Sequence, residues 1–211
     1  MSQFAKPTGF FGRFLAKGMA WGHKDFYKNT AKILDLKNND KYLELGFGSG
    51  IFIQKYATHV SKIVGIDYSE DMVKLACSIN KELINEGKAD LRYGNVSSLP
   101  WQDNEFSAIA AIETFYFWPE LDKALKEIFR VLMPGGRFVI EMGYNKEDGL
   151  DHSKLIKKLK LKLYNSEEIT NLLKSNGFSD ISINYYKGFW MPFKGYFVPK
   201  GMILKAIKNK D

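Results

Sequence analysis

The sequence is poor in the side chains that build disulfides and metal sites. Among 211 residues it has one cysteine, Cys77, and three histidines, at positions 23, 59 and 152. One cysteine cannot close a disulfide within the chain, and the histidines are too far apart in sequence to form a metal motif. We therefore expect a protein of the reducing cytoplasm that binds no metal.

Long apolar runs are also missing. No stretch of the sequence reaches the length of a membrane-spanning helix or of the apolar core of a secretory leader. The first 22 residues mix basic and aromatic side chains, and residues 200–211 combine lysines with apolar residues. We expect no membrane span, while these two segments leave peripheral contact with a membrane open.

The net charge is strongly positive, at +7 from 31 Lys and Arg against 24 Asp and Glu. Cationic surfaces attract nucleic acids by releasing their counterions. The lysines of residues 154–162 and 200–210, however, alternate with Leu and Ile at helix or strand spacing, which is typical of solvated faces of amphipathic elements. No nucleic-acid-reading motif is recognisable, so a small molecule is the expected partner rather than nucleic acid.

From residue 41 onward, short apolar segments alternate with helical patterns, which is typical of an α/β domain with a mainly parallel sheet. Two further apolar segments near the end have no helical pattern between them and can pair antiparallel. The predicted strands are 42–45, 63–67, 90–93, 106–111, 137–141, 181–186 and 202–208. The main predicted helices are 24–34, 70–85 capped by Ser69, 120–131, and 167–176 capped by Ser166.

The segment KYLELGFGSGIF, residues 41–52, carries the most specific local signal. A buried strand runs into Gly46, Gly48 and Gly50, and a helical pattern follows. Glycines at such a junction allow a sharp turn and bring a ligand against the main chain at a helix N-terminus. The G-x-G-x-x-G spacing of dinucleotide sites is absent. Because Glu44 would repel a pyrophosphate and suits a cationic amino group, the turn favours a zwitterionic nucleoside.

An acid, Asp67 in VGIDYSEDM, ends the second predicted strand. A carboxylate at that edge can accept hydrogen bonds from both ribose hydroxyls, each worth about 1.5–3 kcal/mol. Asp67 can instead cap the next helix, but Ser69 is better placed for that role. The pattern therefore favours a ribose contact.

These motifs occur in a recognisable order: E-x-G-x-G-x-G at 44–50, an acid ending the next strand, and FRVLMPGGRFVI at 129–140. In this order they resemble the class I S-adenosylmethionine-dependent methyltransferases, in their small-molecule, UbiE-like branch. The resemblance covers residues 41–141 and, more loosely, the last two strands. It implies an α/β, Rossmann-like fold with a seven-stranded, mainly parallel sheet, helices on both faces and an antiparallel last strand.

The resemblance also implies S-adenosylmethionine as the cofactor, S-adenosylhomocysteine as the product, and no metal. Glu44 and the glycines would border the methionine part, and Asp67 would hold the ribose. Tyr68 and Met72 would lie against the adenine. Asn95 and Val96 would reach its edge, although the family often has Asp where this chain has Asn95. The full set expected to contact the cofactor is Glu44, Gly46, Phe47, Gly48, Gly50, Asp67, Tyr68, Met72, Asn95, Val96 and Glu113.

The acceptor side is predicted from the segment IETFYFWPE, residues 112–120, which follows the fourth strand. A carboxylate among aromatic side chains, here Glu113, suggests a contact with cofactor or acceptor, or a base poised to take a proton. Tyr116 is a second catalytic candidate. His23 and His152 are candidates for a base on the acceptor side.

The domain division is an N-terminal helical arm, residues 1–40, that caps the active site, and a cofactor-binding domain, residues 41–211. Aromatic segments at 8–28 and 188–201 are expected to close over the cofactor as a lid, with packing as an extra layer or a dimer contact as the alternative. The predicted function is methyl transfer to an unidentified small molecule. An RNA methyltransferase and a non-catalytic cofactor-binding module are the alternatives, and a monomer and a homodimer both stay open.

Overall fold

The structure, a computed structural model, describes residues 24–191 and 196–210. The predictions for the arm before Lys24, including His23 as a base, and for the centre of the segment 188–201 lie outside the described residues.

Seven strands form a single sheet, as expected. Their order across it is β3-β2-β1-β4-β5-β7-β6, and β7 runs antiparallel to both of its neighbours while the other pairs are parallel. In chain order the strands are β1 (Lys41–Leu45), β2 (Lys62–Asp67), β3 (Ala89–Tyr93), β4 (Phe106–Ile112), β5 (Leu132–Met142), β6 (Phe178–Met191) and β7 (Tyr196–Lys208).

Helices cover both faces of the sheet, which confirms the α/β fold. Side chains alternate between the faces along each strand: Tyr42 packs with Phe26 and Phe52, whereas Leu43 packs with Ile128 and Leu173. The helices are α1 (Lys24–Leu34), α2 (Ile51–Tyr56), α3 (Glu70–Ile79), α4 (Lys81–Asn85), α5 (Leu121–Val131), α6 (Ser153–Leu159) and α7 (Ser166–Ser175).

The strand order reverses between β1 and β4. From β1 the chain moves outward to β2 and β3, and it then returns to β4 on the other side and continues to β5. In open α/β sheets, ligands bind outside the carboxyl ends of the strands at such a switch point. The fold therefore points to the ends of β1, β2 and β4.

Two predicted helix features are wrong. The single helix 70–85 is broken at Asn80, whose side-chain amide donates to the carbonyl oxygens of Gly50 (3.1 Å) and Ala76 (3.0 Å). A side chain that competes for main-chain carbonyls ends the α3 ladder there. The cap of α7 is Asn165 rather than Ser166, because Asn165 forms a reciprocal capping box with Glu168. The predicted cap Ser69 is confirmed, since its side chain accepts from the Met72 amide.

The predicted strands 181–186 and 202–208 leave the aromatic segment 188–201 between them as a loop, and this is wrong for most of its length. Strands β6 and β7 continue through residues 188–191 and 196–201 as an antiparallel pair. Aromatic and β-branched residues favour extended backbone, and each strand provides the other with a hydrogen-bonding partner.

Arg137, in β5, ties the end of α1 to the amino end of the parallel strands. Its guanidinium donates to the carbonyl oxygens of Leu34 and Asp35 and to the buried carboxylate of Asp40. At the other end of α1, the Phe26 ring stacks on Tyr186 with centroids 6.3 Å apart. Helix α1 therefore begins at the carboxyl edge of the sheet and ends at the amino edge.

Within the described ranges, no helix is both long enough and apolar enough to cross a bilayer.

Candidate functional site

The glycine turn between β1 and α2 adopts backbone angles that favour glycine. Gly46, Gly48 and Gly50 have φ of +70°, +53° and +72°. A Cβ at Gly46 would lie 2.5 Å from Thr114 Oγ1, and one at Gly50 would lie 2.6 Å from Asn80 Nδ2. A Cβ at Gly48 would meet nothing within 4 Å. Two of the glycines therefore allow close packing, and the middle one borders open space.

Asp67 connects the end of β2 to this turn. Its Oδ2 accepts a hydrogen bond from the Gly48 amide (2.8 Å), and its Oδ1 accepts one from the Ser69 amide (2.9 Å). Burial raises the pKa of Asp67, and the two amide donors partly offset this effect. The turn and the carboxylate thus hold each other in place at the switch point.

Glu44 is a buried carboxylate, 2% exposed, one residue before the end of β1. The Tyr42 hydroxyl donates to its Oε2 (3.1 Å). Burial raises the pKa of Glu44 to about 8, and the nearby charge of Asp67 adds to the increase. No ion pair to Glu44 is found among the described residues. A cation that binds beside such a buried carboxyl stabilises its ionised form.

Four predicted adenine-side residues lie around the ends of β2 and β3. Met72 is buried at 1% exposure, and Val96 is nearly buried. The exposed ring of Tyr68 stacks on Tyr93, with centroids 5.9 Å apart, and Tyr93 was not predicted. The Asn95 Oδ1 accepts from the Ser97 amide (3.0 Å), so the side chain is fixed by its own loop.

Phe47, also predicted for the cofactor, points its ring into the core. A Cβ at Gly65 would lie 2.6 Å from the Phe47 ring, which shows how closely the ring packs on β2. Phe47 therefore fixes the path of the glycine turn.

The turn after β4 presents Glu113 in a left-handed backbone conformation, with φ of +56°. Its carboxylate accepts hydrogen bonds from the Gly143 amide and from the Tyr116 hydroxyl (2.6 Å to Oε2). Burial, followed by the charge of Glu113, raises the pKa of Tyr116 well above its usual value. The structure thus brings two of the predicted catalytic residues, Glu113 and Tyr116, into direct contact.

Two residues beside this pair were missed by the sequence analysis. Glu141, in β5, is fully buried, and the Tyr186 hydroxyl of β6 donates to its Oε1. The signal was present, because a glutamate interrupts the apolar run RFVIEM of a predicted buried strand. Tyr186 carried no local signal, since only the strand pairing brings it to Glu141.

His152, the histidine candidate within the described residues, is separated from Tyr116 by the ring of Tyr144. His152 is nearly buried, with its Nε2 2.7 Å from Asp148 Oδ2 and its ring against Tyr144. In the part of the chain that the structure describes, no group of three or more His, Cys, Asp or Glu residues could hold a metal ion.

Comparison with known proteins agrees with this geometry. A family model described as a methyltransferase domain matches residues 43–140, which contain the glycine turn, Asp67 and Glu113. A demethylmenaquinone methyltransferase of Staphylococcus saprophyticus is 31% identical over 120 residues, which are 56% of this chain and 50% of that protein. Residues 43–140 of the chain are therefore a methyltransferase domain of the class I, S-adenosylmethionine-dependent type.

Other relatives of this chain vary in coverage. Sterol 4-C-methyltransferase strm-1 of Caenorhabditis elegans is 28% identical over 64% of this chain and 39% of that protein. Methyltransferase YdaC of Bacillus subtilis is 27% identical over 74% of this chain and 81% of that protein. The chain spans about half the length of the demethylmenaquinone methyltransferases that it matches.

Solved structures share the methyltransferase fold. The YcgJ protein of Bacillus subtilis superimposes with a TM-score of 0.71 at 18% identity, covering 90% of this chain and all of that one. A Haloferax volcanii methyltransferase in complex with the activator Trm112 gives a TM-score of 0.77 at 18% identity, with 92% of each chain covered.

Proposed function

We propose that this chain transfers the methyl group of S-adenosylmethionine to a small-molecule acceptor. The observation that carries the proposal is Glu44, a buried acid without a cationic partner among the described residues, next to a glycine turn fixed by Asp67. The methyl donor has a cationic amino group, which can pair with a carboxylate, and a ribose, whose hydroxyls can donate hydrogen bonds to a carboxylate. Glu44 and Asp67 supply these two carboxylates.

The residues present fit the donor. Glu44 would pair with its α-ammonium group, and the open space at Gly48 would admit its methionine part against the main chain. Asp67 would accept from the ribose hydroxyls with the lone pairs that its amide contacts leave, and Tyr68 offers an aromatic face to the adenine.

The chemistry needs little from the protein beyond alignment. When bound, the donor supplies a methyl carbon that is electrophilic because it is attached to a positively charged sulfur. The protein's residues then hold the acceptor atom in line and exclude water, and alignment alone can supply roughly 7–11 kcal/mol. We propose that residues 1–40 cap the acceptor side, since α1 begins at that edge of the sheet.

A small acceptor is supported by the named relatives, which include a demethylmenaquinone and a sterol methyltransferase. The positive charge of the chain is the observation that favours the second candidate, an RNA acceptor. RNA binding that falls steeply with salt would support that alternative, and no binding at ~100 mM salt would remove it.

The test of the proposed function combines binding with turnover. Calorimetry should detect S-adenosylmethionine and S-adenosylhomocysteine binding to the folded protein, and an acceptor screen should detect release of S-adenosylhomocysteine. If neither compound binds while NAD does, the proposal is wrong. If both bind and no acceptor of any class is turned over, the chain is a binding module.

Donor binding should release a proton. With a pKa of about 8, Glu44 is protonated at neutral pH, and pairing with an ammonium group favours its ionised form. At about pH 6.5, where an α-amino group is also protonated, we expect close to one proton released per donor bound. Calorimetry in buffers of different ionisation enthalpy measures this number.

The control for proton release is Glu44→Gln, which should bind the donor more weakly and release no proton on binding.

The same raised pKa of Glu44 sets the pH dependence of folding in the absence of the donor. Between pH 4.5 and about 8 the folded chain keeps a proton that the unfolded chain has lost. The free energy of unfolding should therefore fall with rising pH across this window, and less so in Glu44→Gln. In the wild type, donor-binding heats that do not change with the buffer, or a free energy of unfolding that does not fall across this pH window, would contradict a raised pKa at Glu44.

A further inference from the structure

Glu141 has an unused carboxylate oxygen at the carboxyl edge of the sheet. The residue is fully buried, its Oε1 accepts from the Tyr186 hydroxyl, and its Oε2 has no hydrogen-bond partner. Among the described residues, no Lys, Arg or His lies within the 4.0 Å distance of an ion pair with it. Buried polar atoms are normally paired, so this oxygen points to a missing ligand.

A second acid, Glu113, lies beside Glu141. The Glu113 amide donates to the Glu141 carbonyl oxygen (3.1 Å), and the strained φ of +56° at Glu113 brings its carboxylate over the Gly143 amide. A Cβ at position 143 would lie 2.7 Å from Glu113 Oε1, so a side chain there would displace this carboxylate. Strained backbone that surrounding residues enforce is characteristic of functional sites.

The ring of Tyr186, whose hydroxyl donates to Glu141, is held in place by the neighbouring strand β7. Tyr186 lies opposite Gly201 in the β6–β7 pair, and a Cβ at Gly201 would lie 1.9 Å from Tyr186 Cζ. The ring therefore lies across bare backbone, which directs its hydroxyl to Glu141. The Phe26 ring of α1 stacks on the same tyrosine with an interplanar angle of 27°.

We propose that Glu141 and Glu113 bind a protonated amine on the acceptor, with Tyr186 and Phe26 as the aromatic wall beside it. This inference rests on the proposed methyl transfer and names its acceptor class. Two acids and an aromatic surface attract an organic cation by charge and by cation–π contact. Glu44 and Asp67 stay with the donor on the other side of the switch point.

The same pair accepts the proton that an ammonium group must lose. The positive charge of the bound ammonium group favours the ionised form of Glu141, whose own proton leaves to solvent when the amine binds. The proton then moves from nitrogen to the Glu141 carboxylate at Oε2: the N–H bond breaks, an O–H bond forms, and nitrogen keeps the electron pair as a neutral amine. Burial, together with the charge of Glu113, raises the pKa of Glu141 well above its usual value, so the protonated carboxyl is stable there. The neutral amine is the nucleophile that methyl transfer requires.

Binding of matched probes tests the proposal independently of turnover. Phenethylamine and butylamine, each against the alcohol of the same shape, are titrated calorimetrically into protein saturated with S-adenosylhomocysteine. We expect at least one amine to bind at least tenfold more tightly than its alcohol. Glu141→Gln should reduce amine binding at least tenfold while the donor dissociation constant stays within twofold.

Two adjacent tyrosines provide a matched pair of variants. Tyr186→Phe removes the hydroxyl that orients Glu141, and it should weaken amine binding. Tyr185→Phe removes an exposed hydroxyl that donates to Glu147 (2.6 Å), and it should leave amine binding unchanged. Both variants delete one tyrosine hydroxyl from β6, and urea unfolding of each shows whether Tyr186→Phe is still folded under the conditions of the titration. Tyr186→Phe also tests the proposal if Glu141→Gln does not fold.

Three results would overturn the inference: no probe amine binds, alcohols bind as tightly as amines, or the amine preference survives in both Glu141→Gln and Tyr186→Phe. Failure of the proposed function would be seen differently, as absence of donor and product binding. In that case the amine titration into unliganded protein still decides whether Glu141 and Glu113 form a cation site.

Discussion

Asp67→Asn is expected to weaken S-adenosylmethionine binding by roughly a hundredfold or more. Two charge-assisted hydrogen bonds to the ribose would be lost, each worth about 1.5–3 kcal/mol, and 1.4 kcal/mol corresponds to a factor of ten. The amide also has only one oxygen for the two main-chain donors, the Gly48 and Ser69 amides. The glycine turn should therefore lose an anchor together with the ribose contact. Calorimetric titration of the donor measures the change.

The matched control for this change is Asp90→Asn. Asp90 lies on the neighbouring strand β3, and its carboxylate bonds to Arg92 rather than to the turn. This variant should keep the dissociation constant of the donor within twofold. Donor binding by Asp67→Asn within threefold of the wild type would show that Asp67 only shapes the turn.

Gly46→Ala is expected to abolish detectable donor binding and to destabilise the fold. An alanine there would hold φ near +70° and place its Cβ 2.5 Å from Thr114 Oγ1. A left-handed alanine costs about 1–2 kcal/mol, and forcing an extra methyl group into a packed site adds typically 1–3 kcal/mol. Any relief of this contact must move the turn or the segment carrying Glu113. Urea unfolding and donor titration measure the two effects.

Gly87→Ala separates the cost of a left-handed alanine from the cost of the contact with Thr114. Gly87 has a similar φ of +67°, but a Cβ there would meet nothing within 4 Å. This variant should lose only the stability that the left-handed backbone requires, and it should bind the donor as the wild type does. Equal destabilisation by the two variants would mean that the Thr114 contact is relieved without cost.

Much of the fold could be predicted from the sequence because the decisive signals are local. Glycines before a helix, Asp67 at a strand end and short apolar runs between helical patterns are each recognisable within a few residues. The switch from helical patterns to two successive strand patterns also predicted the antiparallel pair at the end. These features depend on backbone sterics and on the burial of short apolar runs, which the sequence displays directly.

What could not be predicted depends on contacts distant in sequence. The break at Asn80 requires the carbonyl of Gly50, thirty residues earlier. The pairing of Glu141 with Tyr186 requires the register of β5, β7 and β6. Asn165 and Ser166 are both good caps, and only the reciprocal bond with Glu168 decides between them. Local propensity carries no information on such partners.

The Arg137 contacts with the end of α1 have a consequence for how specificity can change in this family. They fix the end of the helix at the edge opposite the site, whereas the start of α1 reaches the site, with Phe26 stacked on Tyr186 and Tyr27 in edge contact with Phe52 of α2. Substitutions at the start of α1 should therefore alter the acceptor side and the helix that follows the glycine turn together, while the anchored end of α1 stays in place.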